Sequence, residues 1–152
     1  MLSELYLSYI SQNKELTDLE AKQPKIMTFL MFEGRAEEAM NYYISVFDNS
    51  EIVSMRKYEA GGPGPEGSVM KASFKLGDQM FMCNDSFVKH AFTFTPSISQ
   101  FVTFETEAEI DRAHEMLSQG GSVLMPLGEY PFSRRFSWVQ DQFGVTWQLS
   151  LA

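Results

Sequence analysis

Apolar and polar positions follow the same succession twice along the chain, over residues 25–84 and again over 98–151. The first round opens on an apolar run of strand length, Ile26 to Phe32, broken by Glu33-Gly34-Arg35. Ala36, Ala39, Met40, Tyr43 and Phe47 then recur at helical spacing, which predicts an amphipathic helix over 36–47. Asp48-Asn49-Ser50 closes it with turn residues. Glu51 to Tyr58 reads as a strand. Ser68 to Leu76 and Gln79 to Asn84, joined by Gly77-Asp78, read as a hairpin. Between them lies Ala60-Gly61-Gly62-Pro63-Gly64-Pro65-Glu66-Gly67, which reads as a mobile loop and a candidate lid.

After a connector, Asp85 to Pro96, the pattern restarts. Ile98 to Phe104 reads as a strand. Ile110, Ala113 and Leu117 mark a helix that ends at Gly120-Gly121. Ser122 to Leu127, Phe136 to Gln140 and Val145 to Leu151 read as three more strands, with Asp141 to Gly144 as the last turn. Each half is therefore βαβββ, an α+β unit. Such halves offer a curved sheet with helix on one face, and the other face is left to form a cleft.

Residues 1–23 stand outside this repeat. Leu2, Leu5, Tyr6, Tyr9 and Ile10 share a helical face, and Thr17 with Glu20 resembles a capping box. They read as one or two appended helices that pack on the domain, reach a partner chain or fray. The rest, 24–152, reads as one domain.

Charge and composition narrow the partners. The formal charge of -8 repels phosphate backbones, which argues against nucleic acid. No run of 18 apolar residues exists to span a membrane, and no leader pattern precedes the fold. A lone cysteine, Cys83, suits a reducing cytoplasm. With 13 Phe and 10 Met, the core is able to line an adaptable pocket, or simply to pack.

Three further stretches carry a family resemblance. They are Phe29-Leu30-Met31-Phe32-Glu33-Gly34 with Ala36 to Met40, then Asp85 with His90 to Pro96, then Leu124 to Ser133 continuing through Trp138-Val139-Gln140-Asp141 and Phe143 to Leu149. Over residues 25–151 the chain resembles PhnB-like proteins of the glyoxalase, or vicinal oxygen chelate, superfamily, a family often labelled 3-demethylubiquinone-9 3-methyltransferase. The resemblance implies a glyoxalase-like fold, a homodimer and a small-molecule cleft. Whether the halves pair within one chain or swap between two stays open.

Catalytic members of that superfamily hold a divalent metal with His and Glu from cleft-facing strands, so the resemblance makes the donor set the first test. Such a site needs about three side chains from His, Asp, Glu or Cys. The strands Ile26–Phe32 and Ile98–Phe104 offer none, Gln79–Asn84 offers only Cys83, and Gln148 stands where superfamily enzymes carry Glu. The expectation is a cleft without metal or other cofactor. The alternative is an unusual set of His90, Asp85 and Glu129. His90 is a candidate general base that Asp85 would orient, or it caps the connector. His114 reads as a boundary residue of its helix, and Cys83 as an inert buried thiol. The only Gly-rich run contains two prolines, which lack the N–H groups that a methyl-donor cofactor needs.

The candidate ligand-binding residues are thus Phe29, Met31, Cys83, Asp85, His90, Phe94, Arg134, Trp138 and Gln148. Alternation separates Thr146, Gln148 and Ser150 from Val145, Trp147, Leu149 and Leu151, and the resemblance implies that the Gln148 set faces the cleft, with Trp147 under the helices. Arg134 and Arg135 are adjacent cations, suited to an anionic group or to a solvated strand edge.

Overall fold

The computed structural model describes residues 3–21 and 23–152, with the side chains of 16–21 left aside. Its order is α1 (Glu4–Ala21), β1 (Thr28–Phe32), α2 (Ala36–Val46), β2 (Ser50–Lys57), β3 (Val69–Leu76), β4 (Gln79–Asp85), β5 (Ser99–Phe104), α3 (Glu107–Ser118), β6 (Ser122–Tyr130), β7 (Ser133–Gln140) and β8 (Thr146–Leu151). The doubled βαβββ pattern of the sequence is what forms. Two four-stranded sheets result, ordered β1-β4-β3-β2 and β5-β8-β7-β6. In each, the first strand of the half lies parallel to its last strand, and the remaining pairs are antiparallel.

The chain divides into two units, Met1–Ile44 with Asp48–Phe87, and Ser45–Phe47 with Val88–Ala152. In the first, α2 buries Ala36, Ala39, Met40 and Tyr43. The Tyr43 ring stacks on Phe74, and Phe74 on Phe81, with centroids 6.3 and 5.1 Å apart. Leu30, Phe32, Ala72 and Cys83 complete this core.

In the second unit, α3 is capped by Thr106, whose Oγ1 accepts from the Glu109 backbone N–H at 3.2 Å. It lays Ile110, Ala113 and Leu117 over β5 to β8, burying Val139, Trp147, Leu149 and Leu151. Phe47 joins this core, its ring 5.2 Å from that of Trp147. Arg112 caps the last carbonyls of α2, donating to Ser45 and Val46 at 3.0 and 3.1 Å.

Of the one or two helices expected in the N-terminal segment, one forms, 18 residues long and continuous through Thr17, whose side chain lies outside the described set, as does Leu2. Backbone hydrogen bonds close the glycine-proline loop. Tyr58 N–H donates to Ser68, Gly67 N–H returns a bond to Tyr58, and Gly62 N–H donates to Glu59. Gly64 sits so close to the Tyr58 ring that a Cβ there would meet it at 2.6 Å, so glycine permits this packing.

Candidate functional site

Each sheet keeps one face under a helix, α2 on sheet 1 and α3 on sheet 2, and the face turned away from that helix is its open face; α1 also touches sheet 1 at β2, where Arg56 donates to Asn13 Oδ1 at 3.2 Å. Cross-strand register decides which side chains share the open face. On sheet 1, Phe29 pairs with Met82, Met82 with Ser73 and Ser73 with Ser54, so these four form one row across all four strands. Met31 and Asn84 stand beside them. Ser54 Oγ and Ser73 Oγ lie 2.7 Å apart and satisfy each other. Asn84 Oδ1, in contrast, is shielded from water and has no partner.

On sheet 2 the matching row is Phe101, Gln148, Trp138 and Met125. Gln148 is fixed by its Nε2, which donates to Ser99 Oγ at 2.7 Å. Ser150 Oγ lies 3.0 Å from Ser133 Oγ, and Thr146 Oγ1 donates to the Ile98 carbonyl at 2.9 Å. Trp138 Nε1 is buried and makes no hydrogen bond. Shielded polar atoms without partners are few in native proteins, and each wants an explanation. Phe29 and Phe101, both three residues before a buried phenylalanine, are 51% and 62% exposed. Leaving such rings in water forgoes the burial that large aromatics ordinarily gain.

The structure thus brings Phe29 and Met31 to one open face, and Gln148 with Trp138 to the other. Thr146 shares the Gln148 face but is itself buried.

As ligand-binding candidates Cys83 and Asp85 are corrections, while the reading of Cys83 as a buried thiol holds. Both alternate with Met82 and Asn84 onto the helix-covered face of β4 and are buried. Burial first, and the Asp85 carboxylate second, push the Cys83 thiol up to about 12. Asp85 clamps backbone: Oδ1 accepts from Gly34 and Ala36 N–H at 2.8 and 2.9 Å, and Oδ2 from Val69 N–H at 2.9 Å. Gly34 has a φ of 102°, which lets the chain turn onto the carboxylate between β1 and α2. Asp85 is therefore a structural staple rather than an orienter of His90. Asp141 does the same service in the second unit, accepting from Phe143 and Val145 N–H at 2.9 and 3.0 Å and from Trp147 Nε1 at 2.9 Å.

His90 lies in the connector, half-buried, its ring stacked on Phe92 with centroids 4.7 Å apart. Phe94 rests against the Gly144 turn. Arg134 is exposed and donates from Nε to the Ala152 carbonyl at 2.9 Å. Arg135 instead pairs with Asp111, which raises the arginine's pKa. His114 Nδ1 lies 3.0 Å from the buried Ser137 Oγ, and burial pulls its pKa down against the pull of Asp111. Glu129 is exposed on β6.

The donor chemistry does not suit a metal. Among the described residues no group of three or more His, Cys, Asp or Glu is placed to hold one. Of the glycines in the 61–67 loop, Gly64 packs against the Tyr58 ring. Sequence reasoning missed Phe101, Met82 and Ser99. Phe101 had a signal: it stands in β5 where Phe29 stands in β1.

No helix among the described residues is long and apolar enough to cross a membrane. Comparison with known proteins identifies relatives. A PhnB protein of Bacillus cereus is 60% identical, with a TM-score of 0.83, matching 85% of this chain and 100% of its own. Protein PA1353 of Pseudomonas aeruginosa is 26% identical with a TM-score of 0.71, over 85% of this chain and 98% of its own. A glyoxylase/bleomycin resistance protein/dioxygenase domain from Frankia shares the fold at 14% identity and a TM-score of 0.60, over 86% and 98% of the two chains. The family model for 3-demethylubiquinone-9 3-methyltransferase matches residues 24–150, beginning just after α1. With its doubled βαβββ halves, the chain therefore belongs to that PhnB-like family of glyoxalase-fold proteins.

Proposed function

We propose that this protein binds a small, uncharged organic molecule on an open sheet face, without a metal. The observation that carries the reading is the row Phe101–Gln148–Trp138–Met125: two aromatics, one of them well exposed, a fixed amide and an unpartnered indole N–H. Apolar walls with a few placed polar groups are what small-molecule sites require. Among the described residues no three His, Cys, Asp or Glu side chains come together, which supports the metal-free part, and Gln148 is a neutral oxygen donor where the superfamily's enzymes carry a carboxylate. The family's name speaks of methyl transfer. Nothing on the open faces cradles a methyl-donor cofactor, so the reading keeps binding and leaves the methyltransferase reaction aside. It includes a homodimer, on the family resemblance, and a cytoplasmic location, on the lone buried Cys83.

Calorimetric titration with zinc, manganese and iron(II), beside elemental analysis of the untagged protein, tests it. No bound metal and no heat of binding is the expected result. One tightly held metal per chain overturns the metal-free reading and restores the set His90, Asp85 and Glu129 to consideration.

A second reading rests on α1, where Leu5, Tyr6, Leu7, Tyr9 and Ile10 are all exposed and precede the part shared with the family. In that reading α1 docks on a partner chain. Deleting residues 1–23 with no change in oligomer or partners removes it.

A further inference from the structure

We propose that the open face of sheet 2 selects a planar, uncharged ring carrying a hydrogen-bond acceptor next to an N–H donor, as in a lactam or an aryl amide. The inference rests on the small-molecule reading above and adds the ligand's chemistry.

The middle of the row holds two complementary groups. Trp138 Nε1 is a donor with no acceptor. Gln148 uses its Nε2 on Ser99, and that bond fixes which way the amide points. Its Oε1 is an acceptor to which the described residues donate nothing. An indole N–H only donates and an amide oxygen only accepts, so the ligand must present the reverse pair. Trp138 and Gln148 are cross-strand partners, and such partners have Cβ atoms about 5 Å apart. One small ring therefore spans both.

The flanks of the row set the body of the ligand. Phe101 lies on one side of Gln148 and Met125 on the far side of Trp138. An aromatic ring stacks on the first, and the unbranched thioether re-packs around it. Net charge is disfavoured in either sign. A carboxylate would set its oxygens against Gln148 Oε1. An ammonium would set its protons against the indole N–H. The cation on the same strand face, Arg134, stands four positions from Trp138 and points Nε at the Ala152 carbonyl.

The test uses the full chain labelled with nitrogen-15 and four probes: 2-quinolone, its N-methyl derivative, 2-naphthoate and 2-naphthylmethylammonium. The protein has two indole N–H groups, and that of Trp147 is held by Asp141 in the core, so it serves as an internal reference. Trp138→Phe assigns the other. The expected result is that 2-quinolone moves the Trp138 signal downfield and leaves that of Trp147 still. The N-methyl compound, which lacks the donor, binds about tenfold more weakly, the usual effect of one lost hydrogen bond. Gln148→Met weakens 2-quinolone by a similar factor and leaves its N-methyl derivative unchanged. Equal or tighter binding of the naphthoate or the ammonium overturns the inference while leaving a small-molecule face. So does an unmoved Trp138 signal with 2-quinolone bound. No binding by any of the four also overturns it. The small-molecule reading itself fails by a different result, a metal-dependent site in the calorimetric titration.

Discussion

The two sheets share strand order, parallel first-to-last pairing and a phenylalanine at the same place on the open face, yet they treat polar groups differently. Sheet 1 crosses its open face with Phe29, Met82, Ser73 and Ser54, and the two serines hydrogen-bond to each other. Sheet 2 crosses it with Phe101, Gln148, Trp138 and Met125, and leaves a donor unpaired. The lesson is that duplication fixes a scaffold and not a chemistry. One row is largely self-satisfied, with the shielded Asn84 Oδ1 beside it. The other holds two aromatics and an indole N–H without an acceptor, and recognition is proposed there for that reason.

The halves also differ in how they are stapled. Asp85 joins the end of β4 to the β1–α2 turn and to the start of β3, while Asp141 closes the turn before β8 and holds Trp147. Asp85→Ala strands three backbone N–H groups, two of them in buried surroundings, and is expected to lower stability by about 3–5 kcal/mol. Asp141→Ala strands one half-exposed N–H, one buried N–H and an indole, and is expected to lower it by about 2–4 kcal/mol. Urea unfolding of the two variants measures the difference. A smaller loss at Asp85 than at Asp141 breaks this ordering.

Acid separates the units next. His114 packs against sheet 2 beside Ser137, and burial depresses its pKa. The unfolded chain, with an ordinary histidine pKa near 6.5, then binds the proton more readily than the folded one. The contribution is full above about pH 6.5 and falls away as pH drops from there through the lower folded value. Unfolding midpoints across that window show the loss in the native chain, and His114→Gln removes this slope. An unchanged slope in the variant contradicts the assignment.

Two smaller effects sharpen the contrast between covered and open faces. Cys83, buried with its thiol at about 12, is expected to resist iodoacetamide in the native protein and to react once urea is added. Mass spectrometry reads the difference, and ready alkylation of native protein contradicts the burial. Phe101→Ser, on the exposed row, is expected to move stability by no more than about 0.5 kcal/mol while weakening any ligand of sheet 2. A large loss of stability there would make Phe101 a packing residue.

Much of this was legible in the chain. The doubled pattern yields both sheets, period-two alternation groups Gln148 with Thr146 and Ser150 and Phe29 with Met31, and the family resemblance says which group turns away from the helices. β4 was the failure, and its cause is physical. Met80, Phe81, Met82 and Cys83 are apolar on both faces, so polarity cannot say which side is covered. The signal lay in the tight Gly77-Asp78 turn. It fixes Leu76 opposite Gln79 and so Ala72 opposite Cys83, on the core side. Asp85 looked like chemistry because a carboxylate beside a histidine in sequence suggests a pair. Its real partners are backbone N–H groups from far along the chain, which no local pattern displays. Trp138 was a candidate from the sequence, but its unpartnered N–H required coordinates.

The most direct test of the small-molecule reading is a ligand screen in the presence of a metal chelator, read by chemical-shift changes over the whole chain. The account predicts ligands that bind with chelator present and shift Phe101, Gln148, Trp138 and Met125 together. Binding that vanishes with chelator and returns with added metal, or shifts confined to other surfaces, would contradict it.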